Sequence, residues 1–184
     1  MLTRLDDAPA RRRPRAGLVL RSLLLGWAAG ARSSLGPAAP TIAGDHHPVL
    51  RAGAATAVAG ELLVDKLPVA PSRLAYGGAF VRAASGAVGA TLLAARDGSR
   101  PFAPALAGAA GGLAGAYGGV AWRGWAAGHV PDWQAALAED VVALTAAALA
   151  CAPGRLRPPA LEGRGSSGYS GRARRGPRTA TTPP

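Results

Sequence analysis

The sequence predicts an all-α fold: a polytopic helical membrane protein with four to five Gly/Ala-rich helices, transmembrane or re-entrant. Three observations predict it. Of 184 residues, 49% are hydrophobic and only 17% charged, against about 25% charged in soluble domains. The apolar content is mostly Ala, Leu, Val and Gly, with 26 glycines, a weak basis for a soluble core but a good one for close helix packing in lipid. The net charge of +11 sits largely at the two ends. Arg11, Arg12, Arg13 and Arg15 mark one end; Arg155, Arg157, Arg164, Arg172, Arg174, Arg175 and Arg178 mark the other. Five apolar segments lie between them. A GC-rich coding sequence would enrich Ala, Gly, Arg and Pro in the same way and is a competing account of part of this bias.

Residues 1–15 read as a disordered basic N-terminus, 16–152 as the membrane helical domain, and 153–184 as a disordered basic Pro/Gly-rich tail. Residues 11–30 have the basic start and apolar run of a signal peptide. No small-x-small site precedes a soluble domain, so a retained first helix is expected. The basic tails flank the spans on the side of anionic lipid. No groove-reading module accompanies them, and a nucleic-acid partner is not expected. Cys151 is the one cysteine, which excludes an intrachain disulfide and a cysteine zinc cluster.

The first apolar segment covers residues 16–35. Arg21 snorkels near its start, Gly26 and Gly30 form a small contact face, and Arg32 closes the helix C-terminus or points into a polar cavity. Residues 36–48 read as a loop. Asp45, His46 and His47 lie within it, and interfacial histidines are a simpler account than a metal site. The second segment, 49–64, is short for a full span of about 20 residues. It crosses at a thin point, tilts, or is re-entrant.

Residues 60–73, GELLVDKLPVAPSR, break the apolar pattern. Glu61 and Asp65 share a helix face, and Pro68 and Pro71 stop or kink the helix. The third segment, 75–95, carries Arg82 inside it, with small surface at Ser85, Gly86 and Gly89. A polar turn over residues 96–100 follows. The fourth, 103–120, has glycines four apart at Gly108 and Gly112 and at Gly111, Gly115 and Gly119. Glycine costs about 1 kcal/mol against alanine in a helix in water, but in lipid that spacing lets backbones meet. A flexible Gly/Ala linker is the competing reading, and the regular spacing argues against it. Trp122, Arg123, Trp125, His129 and Trp133 read as an interfacial belt. The last segment, 132–151, begins at Asp132, a capping residue, and holds Glu139 and Asp140 inside its apolar run.

Two basic ends on one side of the membrane require an even number of crossings, yet five apolar segments are visible. Either a short segment, 49–64 foremost, does not cross, or a basic tail lies outside. Intramembrane carboxylates are expensive and face a bundle interior or a wet cavity. Glu61, Asp65, Glu139 and Asp140 are therefore the candidate polar interior, with Arg32 and Arg73 as countercharges and Lys66, Arg82 and Arg123 as further partners. Either they form a structural ion-pair network that fixes register, or they line a path for a cation, proton or anionic substrate. The runs ATAVAGELLVD and QAALAEDVVA echo each other, as inverted repeats in transporters do. No nucleophile elbow, zinc-protease helix or phosphate loop is present. No enzyme, cofactor or metal is expected, and a lipid-modifying enzyme ranks third after a transporter and an assembly protein.

Four blocks carry a resemblance: residues 23–39 (LLLGWAAGARSSLGPAA), 60–73, 105–123 (ALAGAAGGLAGAYGGVAWR) and 131–144 (PDWQAALAEDVVAL). Together they resemble the DUF4126 family of small bacterial integral membrane proteins, over roughly residues 18–152. The pattern E-x-x-x-D-K-x-P-x-x-P-S-R is the most specific. Ser34 and Leu35 depart from the family's Met-Thr, while Arg32, Ser33 and Pro37-Ala38-Ala39 remain. The resemblance implies a Gly-rich helical bundle in the bacterial cytoplasmic (inner) membrane and supplies no mechanism. A small transporter or channel-like module is the first expectation. A structural or assembly protein that forms homo-oligomers through glycine faces is the alternative.

Overall fold

A computed structural model describes residues 11–64 and 77–152. The described residues form six α-helices: α1 (Ala16–Ala31), α2 (Leu35–Ala43), α3 (Pro48–Val64), α4 (Gly78–Arg96), α5 (Phe102–Ala126) and α6 (Asp132–Cys151). The fold class is all-α, as the composition predicts. Asp65, Lys66, Pro68, Pro71 and Arg73, and both terminal tails over 1–10 and 153–184, lie outside the described residues.

The first apolar segment is not one helix. α1 stops at Ala31, where Arg32 turns extended (φ −138°, ψ 108°), and residues 36–48 are not simply a loop, because α2 occupies most of them. Its prolines hide it from a sequence reading. Pro37 lies in the first turn, where a helix does not need the amide hydrogen. Pro40 lies inside and removes one bond. Side chains compensate around that gap. Thr41 Oγ1 donates to the Pro37 carbonyl at 2.8 Å, and the Arg96 guanidinium donates to Pro40 and Ala43 carbonyls at 3.3 and 3.0 Å.

α2 does not continue α1; it doubles back. Along α1, Gly26 meets Gly86 of α4, and Arg82 donates to the Gly30 carbonyl. Past the turn, Ser33 meets Ser85, Gly36 meets Ser85 and Gly89, and Ala43 meets Arg96. The partners on α4 therefore fall in number along α1 and rise again along α2. α1 and α2 form a helical hairpin whose tip is Arg32-Ser33-Ser34. α3 then returns beside α2.

One end of this bundle gathers the chain's entry, the α4–α5 turn and the close of α6. Arg12 donates its N–H to the Gly98 carbonyl at 3.2 Å and accepts from Arg100 N–H at 2.9 Å, where Gly98 adopts a left-handed turn conformation (φ 67°). Arg21 donates to the Ala150 and Ala152 carbonyls at 2.6 and 3.0 Å. It thus caps the C-terminus of α6 with a cation rather than simply reaching for an interface. The opposite end holds the α5–α6 connection with Trp122, Trp125 and His129. The Trp125 and His129 rings stack at 4.6 Å.

α1, α4 and α5 pack through glycine. A Cβ placed on Gly26, Gly30, Gly108, Gly111, Gly112 or Gly115 would overlap backbone atoms of a facing helix. Gly119 is buried on the same stripe of α5. Gly36, Gly86 and Gly89 make equally close contacts from α2 and α4. Polarity is inverted relative to a soluble domain. Arg32, Arg82, Glu139 and Asp140 are buried, while Leu20, Phe80, Phe102 and Leu149 stand at least 62% exposed. Two helices, α4 and α6, are long and apolar enough to cross a membrane. α5 is longer, but glycine dilutes its apolar content.

Candidate functional site

The hairpin tip organises the polar residues. Arg32 is 1% exposed, and both its Nε and one terminal nitrogen donate to Asp140 Oδ1 of α6, at 2.8 and 2.5 Å. The side chains of this pair are 2% and 7% exposed. The next two residues face α3. Ser33 donates its N–H and its hydroxyl to Glu61 Oε1, both at 2.8 Å, and Ser34 N–H donates to Glu61 Oε2 at 2.7 Å. These donors open α2, so the Glu61 carboxylate sits on a helix N-terminus, where orphan N–H groups and the helix dipole favour an anion.

Three consecutive residues therefore tie α6 and α3 to the end of α1. Ser85 Oγ of α4 donates to the Ser33 carbonyl, and Arg82 Nε donates to the Gly30 carbonyl at 2.9 Å. The last carbonyls of α1 thus also have donors. Ser33, Ser34 and Ser85 were the functional residues least visible in the sequence, since short hydroxyl side chains in an apolar run look like packing surface.

Glu139 points elsewhere. Its Oε2 lies 3.4 Å from Arg123 Nε of α5, longer than an ordinary charge-assisted hydrogen bond. Arg123 makes its shorter contact with Asp132, at 2.5 Å. Asp132, expected to cap α6, makes no capping bond there and instead holds that guanidinium. Glu139 also lines a cavity of about 280 Å³ between the last turns of α1 (Trp27, Ala31), α5 and α6.

Of the candidate polar interior, Arg32 and Asp140 are paired, Glu61 is brought to the same tip, and Glu139 is one residue away on the cavity side. Asp65 and Arg73 fall outside the described residues. In the segment 44–47, His47 Nδ1 accepts from Val49 N–H at 3.3 Å. Among the described residues no three side chains of metal-binding type cluster.

Glu61→Gln is expected to loosen α2. An amide presents one acceptor oxygen where the carboxylate presents two, and the favourable charge on the helix N-terminus is lost. A cost of about 1–3 kcal/mol follows. Faster amide exchange at Ser34 and Leu35 relative to α5 would register it; unchanged exchange would mean that the carboxylate does not hold that turn.

Comparison with family models, with curated proteins and with solved structures finds no match to this chain.

Proposed function

We propose that the chain is a multi-pass protein of the bacterial inner membrane, of the DUF4126 kind, working as a small transporter or channel-like module. Its moving part is the helical hairpin tip. The observation that carries the reading is the broken helix at Arg32-Ser33-Ser34, where the chain exposes backbone donors to Glu61 beside the Arg32–Asp140 pair. Broken helices with charged side chains at mid-bundle are typical of transporter centres, and irregular backbone at membrane depth needs such polar partners.

The hairpin is compatible with an even number of crossings. α1 and α2 enter and leave on one side, and α3, α4, α5 and α6 make four crossings. The start of α1 and the end of α6 then share a side, and so do Arg12, Arg13, Arg15, Arg96 and Arg100, as the positive-inside rule asks of the cytoplasmic face. In this reading the re-entrant element is residues 16–43, and 49–64 crosses. α5, with 25 residues, is about 37 Å long and α1, with 16, about 24 Å, so the tip stops short of the far face.

The topology is tested by single cysteines in a Cys151→Ala background. Arg13→Cys and Asp45→Cys should label from the cytoplasmic side and Val130→Cys from the other. Labelling of Asp45→Cys opposite to Arg13→Cys would make α1 a crossing helix and remove the hairpin. Transport is tested with purified protein in liposomes under imposed proton and cation gradients. Flux that falls in Glu61→Gln supports the reading; absence of flux in the wild type, with no change in the variant, sinks it. A second reading, an assembly protein, draws on α3. Gly53 and Gly60 have no atom of another helix within 4 Å of an added Cβ, so that face is open to a second copy.

A further inference from the structure

We infer that the cavity lined by the last turns of α1, by α5 and by α6 binds an organic ammonium ion with a compact apolar body, held by Glu139, with Trp27 and Trp122 in its wall. The inference concerns binding and goes beyond the transport reading; it stands whether or not anything is carried across the bundle.

The cavity is a product of the sequence. α5 presents Gly115, Gly118 and Gly119 to it, and a Cβ added at Gly118 would meet nothing within 4 Å. A larger residue there would fill the space without touching a helix contact. The glycines that pack α1 against α5 need their smallness to let backbones meet; Gly118 does not, and its effect is to leave room. The volume of about 280 Å³ lies near the lower end of small-molecule sites, which fits one aromatic ring or a few short alkyl groups.

The wall is apolar except at one place. Among the residues that line it, Glu139 is the only charged one, and Arg123 is not part of the lining. The Glu139 carboxylate is held in the wall by its neighbours, including the long 3.4 Å contact to Arg123. A positively charged ligand therefore meets a carboxylate in a low-dielectric surrounding, where the attraction is stronger than in water. Trp27 of α1 and Trp122 of α5 also line it, and aromatic rings attract a cation. Trp122 is fixed in place by its indole N–H, which donates to the Ala135 carbonyl of α6 at 3.2 Å. An anionic ligand would face the carboxylate with like charge. A neutral apolar ligand would leave the carboxylate further desolvated without a new partner, at a cost.

The test uses the full chain in detergent or nanodiscs, titrated with 2-phenylethylammonium. Its matched controls are 2-phenylethanol, neutral and of similar shape, and phenylacetate, an anion. Calorimetry and tryptophan fluorescence give the readouts. Saturable binding of the ammonium is expected, at least about tenfold tighter than the alcohol, the equivalent of about 1.4 kcal/mol, with no binding of phenylacetate. Glu139→Gln should reduce ammonium affinity to that of the alcohol. Gly118→Leu should abolish binding of both without lowering the thermal midpoint, since leucine is the better helix former, which keeps the test sharp even if Glu139→Gln folds poorly. Equal affinity for ammonium and alcohol, full binding to Gly118→Leu, or no saturable signal in the wild type would each overturn the assignment.

Discussion

Replacing Asp140 by Asn is expected to destabilise the protein by about 3–5 kcal/mol, as for other buried ion pairs stripped of one partner. The reason lies in what remains. The substitution removes a charge from a guanidinium that stays 1% exposed. Two donors of Arg32 converge on one oxygen, Oδ1, at 2.8 and 2.5 Å, and a neutral amide oxygen accepts them far more weakly. Removing both charges is a different matter. Arg32→Met with Asp140→Leu removes both ions of this pair, leaving neither of the two stranded, and a large part of the lost stability should return. Thermal unfolding in detergent measures both. If the double variant were no better than Asp140→Asn, the tip would depend on the specific geometry of the pair and not only on charge balance. Arg32→Lys separates the two further, since one ammonium cannot supply the two fixed donors of the fork.

The tip explains which parts of the site can be read from sequence. Glu139 and Asp140 stand out because carboxylates in an apolar helix are costly wherever they point. Arg32 stands out for the same reason, and it does meet Asp140. Glu61 is visible as a charge, but its partner is not. Its donors are two backbone N–H groups and a serine hydroxyl, which no residue pattern announces. α2 is hidden for a related reason. Gly36, Pro37 and Pro40 have turn composition, and the helix persists because Glu61 closes one end and Arg96 the other. Both closing residues are distant in the chain.

The apparent echo between the runs around Glu61 and Glu139 marks two chemically different places. At Glu61 the carboxylate satisfies a helix N-terminus; at Asp140 it neutralises a guanidinium. Asp65, the remaining member of the candidate set, lies outside the described residues. The glycine contacts were far more legible. A four-residue spacing puts glycines on one helix face whatever the tertiary fold, so Gly26, Gly30, Gly108, Gly112, Gly111 and Gly115 could be assigned to packing without knowing their partners. What spacing does not specify is direction. The reversal after Ala31 is seen in the contacts between α2 and α4, and it follows the first apolar segment with a second helix that doubles back.

The same glycine-to-alanine change is expected to act with opposite sign in two helices. A methyl group on Gly26 would lie 2.8 Å from the carbonyl carbon and 2.9 Å from the Cα of Gly108. Both are backbone atoms of α5, and neither can rotate away. Gly108 is itself pressed against Gly86 and Ala90 of α4, so moving α5 off Gly26 pushes it into a third helix. Gly26→Ala should therefore cost at least the 1–3 kcal/mol of ordinary overpacking, and Gly108→Leu should prevent the three helices from closing. Gly53→Ala and Gly60→Ala add the same methyl to α3, where nothing lies within 4 Å. There the dominant effect is helix propensity, a gain of up to about 1 kcal/mol. Thermal midpoints of the four variants in dilute detergent separate the cases. The α3 variants carry a second consequence. If that face receives another copy of the chain, the wild-type midpoint should rise with protein concentration and that of Gly53→Ala should rise less, because the methyl then meets a partner's backbone. A gain independent of concentration would leave α3 facing lipid and remove the observation on which the assembly reading rests.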